Sequence, residues 1–329
     1  MKKIGAVVAI VAVATMLAVP VASASAVGVY PELPSGSRLV AIDCDSAPNQ
    51  MWNVDASSGD SVPLGTPVLS LNAGNCSPSG ALNPVDGGVY FVEWGTVSDL
   101  MRLDPDTGIS KKIATLHGDS YASCGIAIDK LGNAFSVTSS TLYSLDLLTG
   151  TLEAIGDTGL SQHCAMGINP VDGKLYWMTP QGADVFDAYA VDTATATATL
   201  VSTIDGSAVN GGLNMDALAF DSNGIAWALD YDTCSGVESS CWLQPFNPVT
   251  GEVWQKQARL NDKTMSIYAE NFSGKAHFSS QGLIFLPNEP TTTLPETGVP
   301  AGVLMNGVAL LAGSGIVALA WVRSRPKRG

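Results

Sequence analysis

Between residues 37 and 289 apolar and polar positions alternate over short runs, and the runs are punctuated by Asp, Asn and Gly. Period-two patterning of this kind predicts β-strands joined by tight turns, and no stretch in the region carries a convincing helical period or cap. One pattern recurs: an apolar-x-apolar strand ending in Asp or Asn, a few residues, then Gly. It reads Asn53-Val54-Asp55-Ala56-Ser57-Ser58-Gly59, Leu103-Asp104-Pro105-Asp106-Thr107-Gly108 and Leu145-Asp146-Leu147-Leu148-Thr149-Gly150. Phe246-Asn247-Pro248-Val249-Thr250-Gly251 repeats it, and Val191-Asp192-Thr193-Ala194-Thr195-Ala196 is a copy that has lost its glycine. The chemistry is that of a hairpin turn: an Asp or Asn side chain caps it, and Gly takes the positive φ that closes it onto the next strand.

A second pattern precedes these turns. Gly80-Ala81-Leu82-Asn83-Pro84-Val85-Asp86-Gly87-Gly88-Val89-Tyr90 matches Met166-Gly167-Ile168-Asn169-Pro170-Val171-Asp172-Gly173-Lys174-Leu175-Tyr176, with looser copies from Gly125 to Gly132 and from Ala217 to Gly224. Small and apolar residues before the turn suit a crowded inner strand, and the aromatics after it suit the next one out. Repeats of this length predict four-stranded blades, hence an all-β fold, a β-propeller. The first unit, Arg38 to Val68, lacks an inner strand, and the last, Ser266 to Pro287, lacks a fourth; ends incomplete in complementary ways predict that the two join to close a ring. Counting the third-strand motif favours six blades, with five or seven as alternatives and a sandwich or solenoid as the rival fold. Trp177 and Trp227 fall in strand patterns and are expected in the core.

Repeats ending in Leu-Tyr-x-Leu-Asp-x-x-Thr-Gly resemble the bacterial YVTN/NHL-like extracytoplasmic propellers over most of residues 37 to 289. The motifs are short, and the resemblance implies architecture more than activity.

The ends of the chain break the alternation. Met1-Lys2-Lys3, an apolar run from Ile4 to about Val19, and Ala22-Ser23-Ala24-Ser25-Ala26 stand in the order of a secretory signal peptide, 1–26, followed by a lead-in, 27–36. After the propeller, 37–287, and a Pro/Thr linker, 288–293, come Leu294, Pro295, Glu296, Thr297 and Gly298. An apolar segment over 299–322, long enough for a transmembrane helix, and a basic tail over 323–329 complete the chain. Basic residues stay in the cytoplasm, so the segment before the span lies outside. In all three parts this end resembles the sorting signal of LPxTG sortase substrates of Gram-positive cell walls. The resemblance implies that a sortase cysteine cleaves after Thr297 and joins it to peptidoglycan, so that the C-terminal helix is a transient membrane anchor.

Composition narrows the partners. Residues 27–297 hold all 30 acidic residues but only 10 of the 16 basic ones, a net charge near −20. Such a surface repels phosphate polymers, which disfavours nucleic acid and anionic lipid and leaves cations or basic patches as partners. Six cysteines, Cys44, Cys76, Cys124, Cys164, Cys234 and Cys241, are expected to form disulfides in an exported chain. Cys234 and Cys241 flank one loop, and Cys124 and Cys164 occupy equivalent places in successive repeats, which leaves Cys44 with Cys76; fifteen connectivities are open.

In a propeller with this pattern the short turns gather at one end of the strands and the long connections at the other, where recognition usually resides. Those connections carry Glu93, Trp94, Asp99, His117, Asp119, Tyr121, His163, Asp184, Phe186, Asp187, Asp216, Asp230, Tyr231, Asp232 and Glu238. Carboxylates interleaved with aromatics suit a cation, a sugar or a basic peptide. His117 and His163 stand in equivalent loops and are candidates to meet near the axis. Gluconolactonase-like propellers hold calcium at the channel with oxygen ligands, so a calcium-dependent extracellular hydrolase or lactonase is the alternative to a wall-anchored binding or adhesion protein that needs no cofactor. No Gly-x-Ser-x-Gly elbow or His-Glu-x-x-His helix is present.

Overall fold

Four of the sequence units fold as four-stranded antiparallel meanders, in which the turns after the first and third strands are held shut by their own residues. The computed structural model describes residues 27–28, 31, 38–43, 49–54, 61–68, 80–93, 97–117, 125–160, 165–182, 184–207, 215, 217–230, 242–254 and 280–286. The expected signal peptide and sorting motif, the apolar C-terminal segment and all six cysteines lie outside the described residues. No described helix is long and apolar enough to cross a membrane.

A short strand β1 (Val27–Gly28) comes first. Blade 1 contains β2 (Arg38–Asp43), β3 (Asn49–Val54) and β4 (Ser61–Val68). Blade 2 contains β5 (Ala81–Leu82), β6 (Val89–Glu93), β7 (Asp99–Leu103) and β8 (Ser110–Thr115). Blade 3 contains β9 (Ile126–Ile128), β10 (Ala134–Thr138), β11 (Thr141–Leu145) and β12 (Leu152–Asp157). Blade 4 contains β13 (Met166–Ile168), β14 (Leu175–Gly182), β15 (Val185–Val191) and β16 (Ala198–Asp205). Blade 5 contains β17 (Ala217–Phe220), β18 (Ala226–Asp230), β19 (Trp242–Phe246) and β20 (Val253–Trp254), with β1 parallel to β20 on its outer edge. The last strand, β21 (Ser280–Leu286), pairs antiparallel with β2 and supplies the inner strand that blade 1 lacks. The five inner strands β5, β9, β13, β17 and β21 neighbour one another in a closed ring.

The chain is a five-bladed propeller. The expected closure of the ring by its two ends is present, but six blades was one too many. The first sequence unit and β21, the described strand of the last one, form a single blade, counted twice because that strand lies at the far end of the chain.

The blades pack face to face through buried side chains. Val40, Ile42, Phe91 and Ile284 fill the space between blades 1 and 2. Val92, Leu100, Ile126 and Leu145 fill that between blades 2 and 3. Phe135, Val137, Trp177 and Val191 join blades 3 and 4, and Tyr176, Met178, Leu218 and Phe246 join blades 4 and 5. Trp177 and Trp227 are fully buried, as their strand patterns implied. Each large apolar side chain so buried contributes roughly 1.5–3 kcal/mol, so the ring is held mainly by these interblade layers.

Two turn types recur. At the first turn of blades 2 and 4, Asn83 Oδ1 accepts the Val85 N–H at 3.0 Å and Asn169 Oδ1 accepts that of Val171 at 2.9 Å. At the turn after the third strand, Asp104, Asp146, Asp192 and Asn247 each accept the N–H groups of the residues two and three ahead. Those backbone donors hold the carboxyls of Asp104, Asp146 and Asp192 below the usual value of 3.8. A lowered folded-state pKa gives a contribution present above the unfolded value and lost as pH falls through the folded one, so these turns weaken in acid below about pH 4.

The third-strand turns also pack sideways, against the outer strand of the preceding blade. Ser202 Oγ of β16 donates to Pro248 O at 2.7 Å, and the N–H of His117, just beyond β8, donates to Gly150 O at 3.0 Å. Gly150 has φ +71°, and a Cβ there would sit 2.6 Å from Thr115 O, whereas Gly87, at φ +68°, faces open space. Gly87→Ala is expected to cost only the left-handed penalty, about 1–2 kcal/mol. Gly150→Ala should cost clearly more, because the obstacle is backbone. Denaturant midpoints of the two variants check the difference.

Candidate functional site

The inner strands are built from small and apolar residues, and what they enclose follows from that. Their side chains line an axial cavity of about 180 Å³, with Ile126, Ile128, Ile168, Phe220, Ile284 and Phe285 among its walls. At the end where the first turns lie, Asn83, Asn169, Asp129 and Asp221 stand next to the channel, and their oxygens are engaged by their own turns. Among the described residues no group of three or more His, Cys, Asp or Glu is arranged to hold a metal ion. Calcium takes six to eight oxygen ligands, and the described lining of the channel does not fit it.

Outside the channel, at the other ends of the strands, polar side chains are buried in cross-strand pairs. Glu93, at the end of β6, is 2 % exposed and sits in register with Asp99 of β7. Asp99 takes Lys112 Nζ at 2.8 Å on one oxygen and the Thr115 hydroxyl at 3.0 Å on the other. Blade 4 repeats part of this, with the Thr203 hydroxyl donating to Asp187 at 2.6 Å. Burial and the neighbouring Asp187 raise the Tyr189 hydroxyl above its usual value. In blade 3, Asp157 is held low by the Gly159 N–H and the Ser140 side chain.

The turn end uses the same residue types differently. Tyr90 donates to Asp86 at 2.7 Å and Tyr176 to Asp172 at 2.8 Å, while Trp227 Nε1–H donates to Asp221 at 3.1 Å. Burial, then the bond to Asp86, pushes the Tyr90 hydroxyl up to about 12. Each pair ties a turn to the strand that follows it.

Of the residues nominated from sequence, Glu93 ends β6 and Asp230 ends β18, in register with Trp242. His117 bridges in parallel to Thr151 on the outer edge of blade 3, so its backbone lies at the rim and not at the axis. Trp94, Asp119, Tyr121, His163, Asp216, Tyr231, Asp232 and Glu238 lie outside the described residues. Asp99 and Asp187, read as loop carboxylates, are strand residues with hydroxyl partners across the sheet. Thr115, Thr203 and Lys112 carry no signal of their own in the sequence, although Asp99 and Asp187 precede the turn Asp of their repeats at the same distance.

No model of a known protein family matches the chain, and no curated protein matches it in sequence. Solved structures do. A chain of a nidogen/laminin complex is 14 % identical with a TM-score of 0.49, the match covering 77 % of this chain and 100 % of that one. A candidate 6-phosphogluconolactonase from Bacteroides fragilis is 12 % identical with a TM-score of 0.40, covering 78 % and 99 %. The periplasmic gluconolactonase of Pseudomonas aeruginosa is 10 % identical with a TM-score of 0.37, covering 68 % and 96 %. The likeness is one of fold. At these values none of the three carries an activity over to this chain.

Proposed function

We propose that this chain is a surface protein of a Gram-positive cell wall, joined covalently to peptidoglycan through Thr297, whose propeller binds a ligand outside the cell. The observation that carries the reading is the uninterrupted order of Leu294-Pro295-Glu296-Thr297-Gly298, an apolar segment and a basic tail, opposite a signal-peptide pattern at the other end. In the sorting reaction a sortase cysteine attacks the Thr297 carbonyl and the Thr297–Gly298 amide breaks. The Gly298 amine leaves with the rest of the chain. An amino group of a peptidoglycan precursor then displaces the thiolate and forms a new amide with Thr297.

The acidic surface and the connections between strands support capture of a cation, a sugar or a basic peptide. A calcium-dependent hydrolase on the same fold is the competing reading, and among the described residues no three His, Cys, Asp or Glu side chains are placed to hold a metal ion.

Intact mass of wall-released and membrane fractions tests the anchoring. Native protein is expected to end at Thr297 bearing a peptidoglycan fragment, and Thr297→Ala to remain in the membrane fraction with residues 298–329. Native protein that keeps Gly298 to Gly329 would overturn the reading.

A further inference from the structure

All inner strands of the ring run in the same direction, from the ends that carry the long connections toward the ends that carry the first turns. Leu82, Ile128, Ile168 and Phe220 each lead into such a turn, at Asn83, Asp129, Asn169 and Asp221. In blade 1 the inner strand is β21, and its last residue, Leu286, pairs with Arg38 at the start of β2. Where the other four blades turn back, blade 1 releases the chain. The propeller's C-terminal exit therefore lies on its turn face, beside the channel mouth.

The sorting motif follows at once. Thr297 is eleven residues beyond Leu286, which spans at most about 36–40 Å when fully extended. To bring the opposite face toward the attachment point, the chain would have to cross from the inner to the outer strand, about 14 Å. It would then have to climb a blade edge of roughly 20–26 Å. That path consumes the whole tether.

We infer that the turn face is apposed to peptidoglycan and that the opposite face, with the long connections, points away from it; this rests on the anchoring reading above. The turn face suits a seat against a polymer. Its connections are short, the Asp and Asn side chains that open them are engaged in their own turns, and Val85, Leu131 and Val171 project from it with 65 %, 72 % and 65 % exposure. Close apposition removes these apolar tips from solvent, and the opposite loops stay open to molecules arriving from outside.

Two probes at opposite ends of β10 test this. Leu131 lies in the turn before the strand, and Ser139 lies in the hairpin after it, where it is exposed. Leu131→Cys and Ser139→Cys are treated with a bulky polyethylene glycol maleimide, once on intact walls and once after enzymatic release, with the parent chain as background. Ser139→Cys is expected to label equally in both. Leu131→Cys should label several-fold less on intact walls than after release, and full labelling after release shows that the variant is folded with its thiol open. Equal labelling of both variants on intact walls, or the reverse preference, overturns the orientation. Intact mass on the same samples separates the two proposals: a retained Gly298–Gly329 segment overturns the anchoring, whereas equal labelling of a correctly processed chain overturns the orientation alone.

Discussion

Ile284→Asp is expected to abolish the cooperative unfolding transition of the propeller. Ile284 is 3 % exposed in the middle of β21, opposite Val40 in the strand pairing and packed with Ile42, Leu64 and Phe91 between blades 1 and 2. It also reaches β5, since a Cβ on Gly80 would lie 3.0 Å from its Cδ1. A carboxylate at that position has no partner, and an uncompensated buried charge costs several kcal/mol. The loss of the apolar side chain adds about 2–5 kcal/mol. A domain is stable by only about 5–15 kcal/mol, so the sum is of the order of the whole. The effect is concentrated here because one strand completes blade 1 and adjoins both neighbouring inner strands. Ile109→Asp, at a site 60 % exposed, is the control and should stay within about 0.5 kcal/mol of the parent. Denaturant unfolding followed by circular dichroism decides it: a cooperative transition for Ile284→Asp close to that of the parent would show that the ring does not depend on β21.

The second large effect concerns Trp227 and its pH dependence. Trp227 is fully buried, its ring centroid lies 5.8 Å from that of Phe285, and its Nε1–H donates to Asp221, itself 0 % exposed. Burial raises the Asp221 carboxyl above 3.8, and the indole and the turn N–H groups pull it partly back. A raised folded-state pKa means a contribution fully present below the unfolded value and lost as pH rises through the folded one. Trp227→Phe keeps an aromatic ring but removes the donor, so the carboxylate form loses most. The variant is expected to lose about 1–3 kcal/mol at neutral pH and measurably less in mild acid below about pH 4, where Asp221 is protonated in both states. Equal losses at the two pH values would show that ring volume, and not the hydrogen bond, is what Trp227 contributes.

The turns were legible because their chemistry is local. Asp104, Asp146 and Asn247 bond N–H groups two and three residues ahead, so residue order alone reveals them. Even the degenerate copy behaves: Ala196 takes φ +58° where its relatives use glycine, and its buried methyl packs with blade 3 side chains, which offsets the left-handed strain. The burial of Trp177 and Trp227 was legible for a similar reason, since period-two patterning states which side of a strand faces a neighbour.

Blade number and the state of the carboxylates were not legible. Asp99 meets Thr115, and Asp187 meets Thr203, across strands, and nothing adjacent in sequence says that an Asp near a loop will be consumed by a threonine sixteen residues later. Likewise β21 and β2 stand at opposite ends of the described chain, so their pairing depends on the ring closing. The sequence by itself determined the strands, the turns, the apolar inner positions and the order of apolar and basic segments at the two ends, because each rests on contacts or patterns within a few residues. Only the tertiary structure decided that there are five blades, that the axis is lined by apolar side chains, and that the chain leaves from the turn face. Those are properties of closure, set by which distant strands share hydrogen bonds and buried surface.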